Sequence, residues 1–236
     1  MPIRPSGGTI RIPRLIRRAA LVLAVAVAAP SCAPRQGVYH RVESGQSLRR
    51  IAAAYGVSED TILSANRIAD PAAVRPGRDL WIPGAPGPAR VPTYEEFRDL
   101  VLRPYLKGGL AWPVEGKISS GFGHRGKGRH LGLDIIAPEG SPVRAALQGF
   151  IVYRGSALRG YGNAIVLDHG EGVTTLYGHL RDFRVESSVA VPRGSVIGTV
   201  GRTGNATTSH LHFELRVEDE PVDPERYLER RAGESR

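Results

Sequence analysis

The sequence predicts a mostly β protein, in which an antiparallel β-rich domain follows a small βααβ module. Three observations carry that expectation. From Trp112 onward, short apolar and β-branched runs alternate with glycine-rich turns. Glycine (29) and proline (18) are abundant and aromatic residues make up only 6%, which favours many short elements over a long helical bundle. Residues 37–83 read strand, helix, helix, strand. The chain has 236 residues, enough for one or two domains with a real core.

The first segment reads as an address. Its formal contribution to the net charge of +9 is large: Arg4, Arg11, Arg14, Arg17 and Arg18 lie among the first 31 residues, which contain no Asp or Glu. Without them the remaining chain carries +4, and no aromatic-studded basic stripe follows, so nucleic acid is excluded as a partner. Ala19 to Ala29 is an unbroken apolar run of eleven, too short for a membrane span of about 20 residues. A basic start, a short apolar run and small residues after it are the parts of a secretory signal. Cys32, the sole cysteine, then follows Pro30 and Ser31, and a lone exported thiol calls for an explanation. Residues 1–31 resemble a bacterial lipoprotein signal, which implies lipidation of Cys32 and a membrane lipid anchor. Leu is usual in that pattern where Ala29 stands. Ala33 is not the aspartate associated with inner-membrane retention, which implies the outer membrane, facing the periplasm.

Residues 37–83 justify the small module. Tyr39 to Val42 alternates like a strand, and Ser47 is placed to cap a helix. Leu48, Ile51, Ala52 and Tyr55 recur on one helical face, and Gly56 stops it. A second helix starts at Ser58, with Glu59 and Asp60 in its first turn and Val57 and Ile62 as a hydrophobic staple. Leu80 to Pro83 closes the unit as a strand. The pattern Tyr39-x-x-Val42-x-x-Gly45-Gln46-Ser47-Leu48, with Asn66 and Gly77-x-x-Leu80-x-Ile82-Pro83, resembles a LysM module. That resemblance implies binding of N-acetylglucosamine-containing glycans such as peptidoglycan, between the loops Gly45–Leu48 and Asn66–Pro71. The contacts it implies are Gly45, Gln46, Ser47, Leu48, Asn66, Ile68 and Asp70. Trp81 and Tyr55 are expected in the module's core, and His40 on its surface.

Residues 84–110 open with Gly84-Ala85-Pro86-Gly87-Pro88, a stiff linker composition, and continue with a short amphipathic stretch from Tyr94 to Val101. Their plain role is a spacer. Beyond them, strands are expected at 149–153, 164–167, 173–177, 195–200 and 211–215, with Asp168 to Gly172 as a hairpin connection.

Histidines are the informative residues of this domain. His130 and Asp134 would stand about 13 Å apart on an extended strand, too far to share one metal, but Gly132 between them permits a bend. His210 and His212 point to one strand face, about 6.6 Å apart, so one can ligate while its neighbour reaches bound water or substrate. Two imidazoles and one carboxylate make a three-ligand site with an open position, the pattern of catalytic zinc. Fe(II) shares that ligand count, but its carboxylate usually sits two residues from the first histidine.

The motifs Gly121-Phe122-Gly123-His124-Arg125, His130-Leu131-Gly132-Leu133-Asp134, Gly162-Asn163, Leu176-Tyr177-Gly178-His179-Leu180 and His210-Leu211-His212-Phe213-Glu214 follow in order. Over residues 111–228 they resemble the M23 (lysostaphin/LytM-type) zinc metallopeptidases. The resemblance implies Zn2+ held by His130, Asp134 and His212, with His179 and His210 catalytic. Thr208-Ser209 departs from the usual Gly-Pro, and the stretch after Arg125 is short, so a groove wall differs. His124 and His169 have no expected catalytic part. Glu214 shares strand parity with His212 and is expected to pair with an arginine before orienting a ring.

Two functions follow from different classes. One is a zinc endopeptidase cutting the peptide cross-links of peptidoglycan, held on its substrate by LysM. The other is a non-enzymatic activator of a cell-wall amidase; proteins of that kind have typically lost ligands, whereas this chain keeps all three and both histidines.

Overall fold

The computed structural model describes residues 36–105, 109–125 and 128–229; the segment expected to be a signal and Cys32 lie outside them. The small module is β1 (Gly37–Arg41), α1 (Leu48–Tyr55), α2 (Glu59–Ala65) and β2 (Asp79–Pro83). Its helices begin and end where their caps dictate. Ser47 and Ser58 accept from the backbone N–H groups of Arg50 and Thr61, and Gly56 closes α1 in the left-handed region at φ 66°. The antiparallel β1–β2 pair covers a core of Val42, Ile51, Ile62, Leu80 and Ile82. Trp81 is only half-buried and stacks beside the exposed Tyr39, on the outer face of this sheet rather than in the core. Strand parity explains it: Leu80 and Ile82 take the inward positions.

After α3 (Tyr94–Leu102), apart from short 3-10 turns at Arg103–Tyr105 and Pro224–Arg226, the regular structure among the described residues consists of strands. In order these are β3 (Lys117–Ser120), β4 (Gly123–Arg125), β5 (Gly128–His130), β6 (Leu133–Ile136), β7 (Pro142–Arg144), β8 (Gly149–Gly155), β9 (Asn163–Asp168), β10 (Val173–Phe183), β11 (Ala190–Val191), β12 (Val196–Val200), β13 (His210–Val217) and β14 (Glu220–Val222). The main sheet runs β11-β8-β9-β10-β13-β6-β3, with β12 branching from β10 to β7 and β14 on β13. Its strand pairs are antiparallel. Strand β13 shows why one face becomes a site. Leu211, Phe213, Leu215 and Val217 enter the core, so the alternate positions His210, His212, Glu214 and Arg216 share the other face. The segment is both wall and workbench.

The stretch from 84 to 110 does not act only as a spacer. Helix α3 opens with a full capping box from Thr93 and Glu96, and its Phe97 and Leu102 are buried in the core of the large domain beside Leu110. Its apolar stripe had to be covered, and the core of the large domain covers it.

From Gln36 onward the chain forms one compact unit. Arg50 and Glu218 join the module to the β13–β14 turn through an ion pair of 3.2 Å, with side chains only 7% and 12% exposed. Arg50 also donates to the carbonyls of Gly45 and Pro92, and the Ser47 hydroxyl donates to Glu218. Glu218 and Asp219 form the two-residue β13–β14 turn, with φ 50° and 65°, the positive values that a tight antiparallel hairpin favours at both positions. Among the described residues, no helix is long and apolar enough to cross a membrane.

Candidate metal centre and flanking histidines

Three elements converge on one point. His130 ends β5, Asp134 lies in β6, and His212 lies in β13 directly opposite Asp134. His130 Nε2, Asp134 Oδ1 and His212 Nδ1 stand 3.0, 3.2 and 2.8 Å from one another. Tetrahedral zinc with bonds of 2.0–2.1 Å separates its ligand atoms by about 3.3 Å, so the trio fits an ion of that size with an outward shift of a few tenths of an ångström. Gly132 is required here for closeness: its φ lies outside the left-handed region, so close approach and not backbone conformation calls for glycine. A Cβ on it would lie 2.2 Å from the Phe213 carbonyl oxygen, forcing β6 away from β13.

The outer nitrogen of each imidazole is committed. His130 Nδ1–H donates to the Gly121 carbonyl at 2.7 Å, and His212 Nε2–H donates to Glu214 Oε1 at 2.9 Å. The inward nitrogens are thereby the lone-pair atoms, as metal ligation requires. When the metal-free rings take up protons instead, burial would raise the Asp134 carboxyl, but the hydrogen bond from protonated His212 and the charges on His130, His212 and His210 pull it down to about 2. Burial would likewise disfavour charge on His212, yet Asp134 and Glu214 raise its pKa. Such a cluster attracts a cation.

Two further histidines flank it. His210 Nδ1–H donates to the Thr208 carbonyl at 2.8 Å, and its Nε2 stands 3.7 Å from Asp134 Oδ1. His179 Nδ1–H donates to the Thr203 carbonyl at 2.8 Å. The two rings lie 4.7 Å apart, centre to centre, and His179 is 5.8 Å from His212. His179 reaches this place through a bulge. Tyr177 pairs with Ile165 and Leu180 with Asn163, so β10 carries one residue more than β9, and His179 sits at φ 61°. Burial lowers its pKa, so it is neutral and basic at Nε2 near neutrality.

Glu214 is fully buried and serves both roles weighed for it. It accepts from His212 and, through Oε2, from Arg216 Nε at 2.6 Å. Burial would raise its pKa, but donors from His212, Arg216 and Tyr161 hold it low. Tyr161, Thr203 and Gly121 support the site without having been singled out for it. Their signal is faint, because two act through carbonyl oxygens that any residue has.

The implied glycan contacts are scattered in use. Leu48 and Ile68 are buried in the module core, and Asn66 pins α2 to β2 by donating to Ile62 and Trp81 and accepting from Trp81 N–H. Gln46 Oε1 accepts from Glu43 N–H and from His40, so His40 is half-buried and bonded. Asp70 caps the short turn at Pro71–Ala73, and Gly45 is exposed at φ 81°. His169, in the β9–β10 turn, donates to the Gln148 carbonyl at 2.7 Å and bonds Thr175 at 2.8 Å.

Residues 128–224 match peptidase family M23, and residues 40–83 match the LysM domain. The chain is 45% identical over 114 residues to the DD-carboxypeptidase/endopeptidase Mpg of Neisseria meningitidis serogroup B, covering 46% of this chain and 26% of that protein. It is 40% identical over 120 residues to the murein hydrolase activator NlpD of Escherichia coli, covering 51% of this chain and 31% of that protein. Of both curated relatives it thus spans less than a third. To the catalytic domain of the peptidase lysostaphin from Staphylococcus simulans it is 34% identical, covering 47% of this chain and 90% of that one, with a TM-score of 0.45.

Proposed function

We propose that the chain is a zinc metalloendopeptidase of peptidoglycan cross-links, a reading supported by the match of residues 128–224 to peptidase family M23 and of residues 40–83 to the LysM domain. The observation that carries this reading is the complete site: three inward nitrogen and oxygen atoms within 3.2 Å of one another, with His179 and His210 beside them. His130, Asp134 and His212 would hold zinc. Bound there, zinc supplies Lewis-acid polarisation of the scissile carbonyl. The remaining work falls to the chain. His210, with Nε2 nearest the cluster, takes a proton from the attacking water and returns it to the leaving amide nitrogen. His179 accepts the water's other hydrogen and fixes its approach. LysM adds wall affinity and so raises the local substrate concentration. Through Cys32 the protein is an exported lipoprotein, at the outer membrane facing the periplasm.

The second reading, activation of a cell-wall amidase, draws on the likeness to the activator NlpD. One experiment separates them. Purified chain loaded with zinc is incubated with intact cell-wall sacculi, alone and with a cell-wall amidase, and the products are identified by mass. Cleaved peptide cross-links without amidase support the peptidase. Zinc bound, no cleavage, and a stimulated amidase would establish the activator instead.

A further inference from the structure

Behind His212 lies a closed set of polar groups that the proposed mechanism does not use. The Tyr161 hydroxyl donates to Glu214 Oε1 at 2.7 Å, the same oxygen that accepts His212 Nε2–H at 2.9 Å. Glu214 Oε2 accepts from Arg216 Nε at 2.6 Å, and Arg216 Nη2 donates to the Tyr161 oxygen at 3.3 Å. Each carboxylate oxygen therefore has a donor, and the ring of contacts leaves Glu214 no freedom to turn. Its fixed acceptor in turn fixes which nitrogen of His212 carries the proton.

The same tyrosine also reaches the other half of the site. Its backbone carbonyl accepts from His179 N–H at 2.7 Å, where His179 is held at φ 61°. Its aromatic ring lies 5.5 Å from that of His212. A Cβ at Gly178 would come within 3.3 Å of the Tyr161 ring and 3.5 Å of His212 Cβ, so glycine there allows the ring to lie against β10. The following residue, Gly162, sits at φ +62°, where a Cβ would meet Thr203 and Gly204 at 2.4 Å, so the loop interlocks with the one whose carbonyl holds His179.

We propose that Tyr161 is a positioning residue, which through its hydroxyl locks Glu214 and His212 for metal ligation and through its backbone sets the His179 bulge. This rests on reading His130, Asp134 and His212 as a metal site. Tyr161→Phe removes only the hydroxyl, leaving the ring and the carbonyl. Zinc affinity is measured by chelator competition on the full chain, and the geometry by the visible absorption of the cobalt(II)-loaded protein. The expected result is a zinc affinity weakened several-fold, up to about 10-fold, with an altered cobalt spectrum; this is the low end of what losing a ligand's own hydrogen-bond partner costs, because Tyr161 acts on His212 through Glu214. Tyr153→Phe is the structural control, because the Tyr153 hydroxyl accepts from Ala157 and Leu158 N–H in the same loop without touching Glu214. It should lower thermal stability and leave affinity and spectrum unchanged. Unchanged affinity and spectrum in Tyr161→Phe would overturn the proposal, as would equal weakening by Tyr153→Phe. A wild-type chain that binds no zinc would overturn the metal reading itself.

Discussion

Replacing His212 with alanine removes more than a ligand, and its structural partners determine how much more. The inward nitrogen is one of three donor atoms lying 2.8–3.2 Å apart, so the variant keeps one imidazole and one carboxylate. Outer partners alone cost about 10–100-fold in affinity, and loss of an inner donor should exceed that, at about 10²-fold or more. The outward nitrogen is one of three donors to the fully buried Glu214, and a hydrogen bond to a charged group contributes about 1.5–3 kcal/mol. Metal-free His212→Ala should therefore also unfold more easily by at least that amount. Asp134→Ala should match its zinc loss without touching Glu214. His210→Ala removes neither bond: zinc should stay, and cross-link hydrolysis should fall about 10²–10⁴-fold. The assay is metal content per chain after dialysis against a weak chelator, beside urea unfolding of the metal-free proteins and product release from sacculi. Equal zinc loss in His210→Ala and His212→Ala would show the roles misassigned.

Three other outcomes are expected. Burial lowers the pKa of His169, so the folded state favours its neutral form; its stabilising contribution is complete above the ordinary value of about 6.5 and is lost as pH falls below it. His169→Gln should flatten that part of the stability–pH curve, and an unchanged difference between the two proteins from pH 8 to 5 would contradict this. Arg50→Met leaves the Glu218 carboxylate without its cation and should cost about 3–5 kcal/mol in urea unfolding, partly recovered by adding Glu218→Leu; a cost below about 1 kcal/mol would mean the module is not clamped. Phe97→Ala should cost about 3–5 kcal/mol if α3 belongs to the core, whereas a loose spacer would lose less than about 0.5 kcal/mol.

What the sequence by itself determined follows short-range rules. Strand alternation put His210, His212 and Glu214 on one face, because successive side chains must point to opposite sides. Ser47, Ser58 and Gly56 marked helix ends because orphan backbone groups need local partners and αL needs glycine. The fold class and the shared face of His210 and His212 were legible for the same reason: the information sits within a few residues.

Only the tertiary structure decided the rest. Which imidazole nitrogen turns inward to Asp134 depends on Gly121, 9 residues before His130, and on the buried carboxylate of Glu214. Tyr161 meets Glu214 across 53 positions, and Arg50 meets Glu218 across 168. No periodicity links residues so far apart. Helix α3 read as a spacer because its stripe is short, and only the sheet beneath it shows what that stripe covers. His179 is the clearest case. Nothing in Tyr177-Gly178-His179 announces a left-handed histidine, since the bulge arises from the mismatch between β10 and its neighbour β9, a property of two strands and of neither alone.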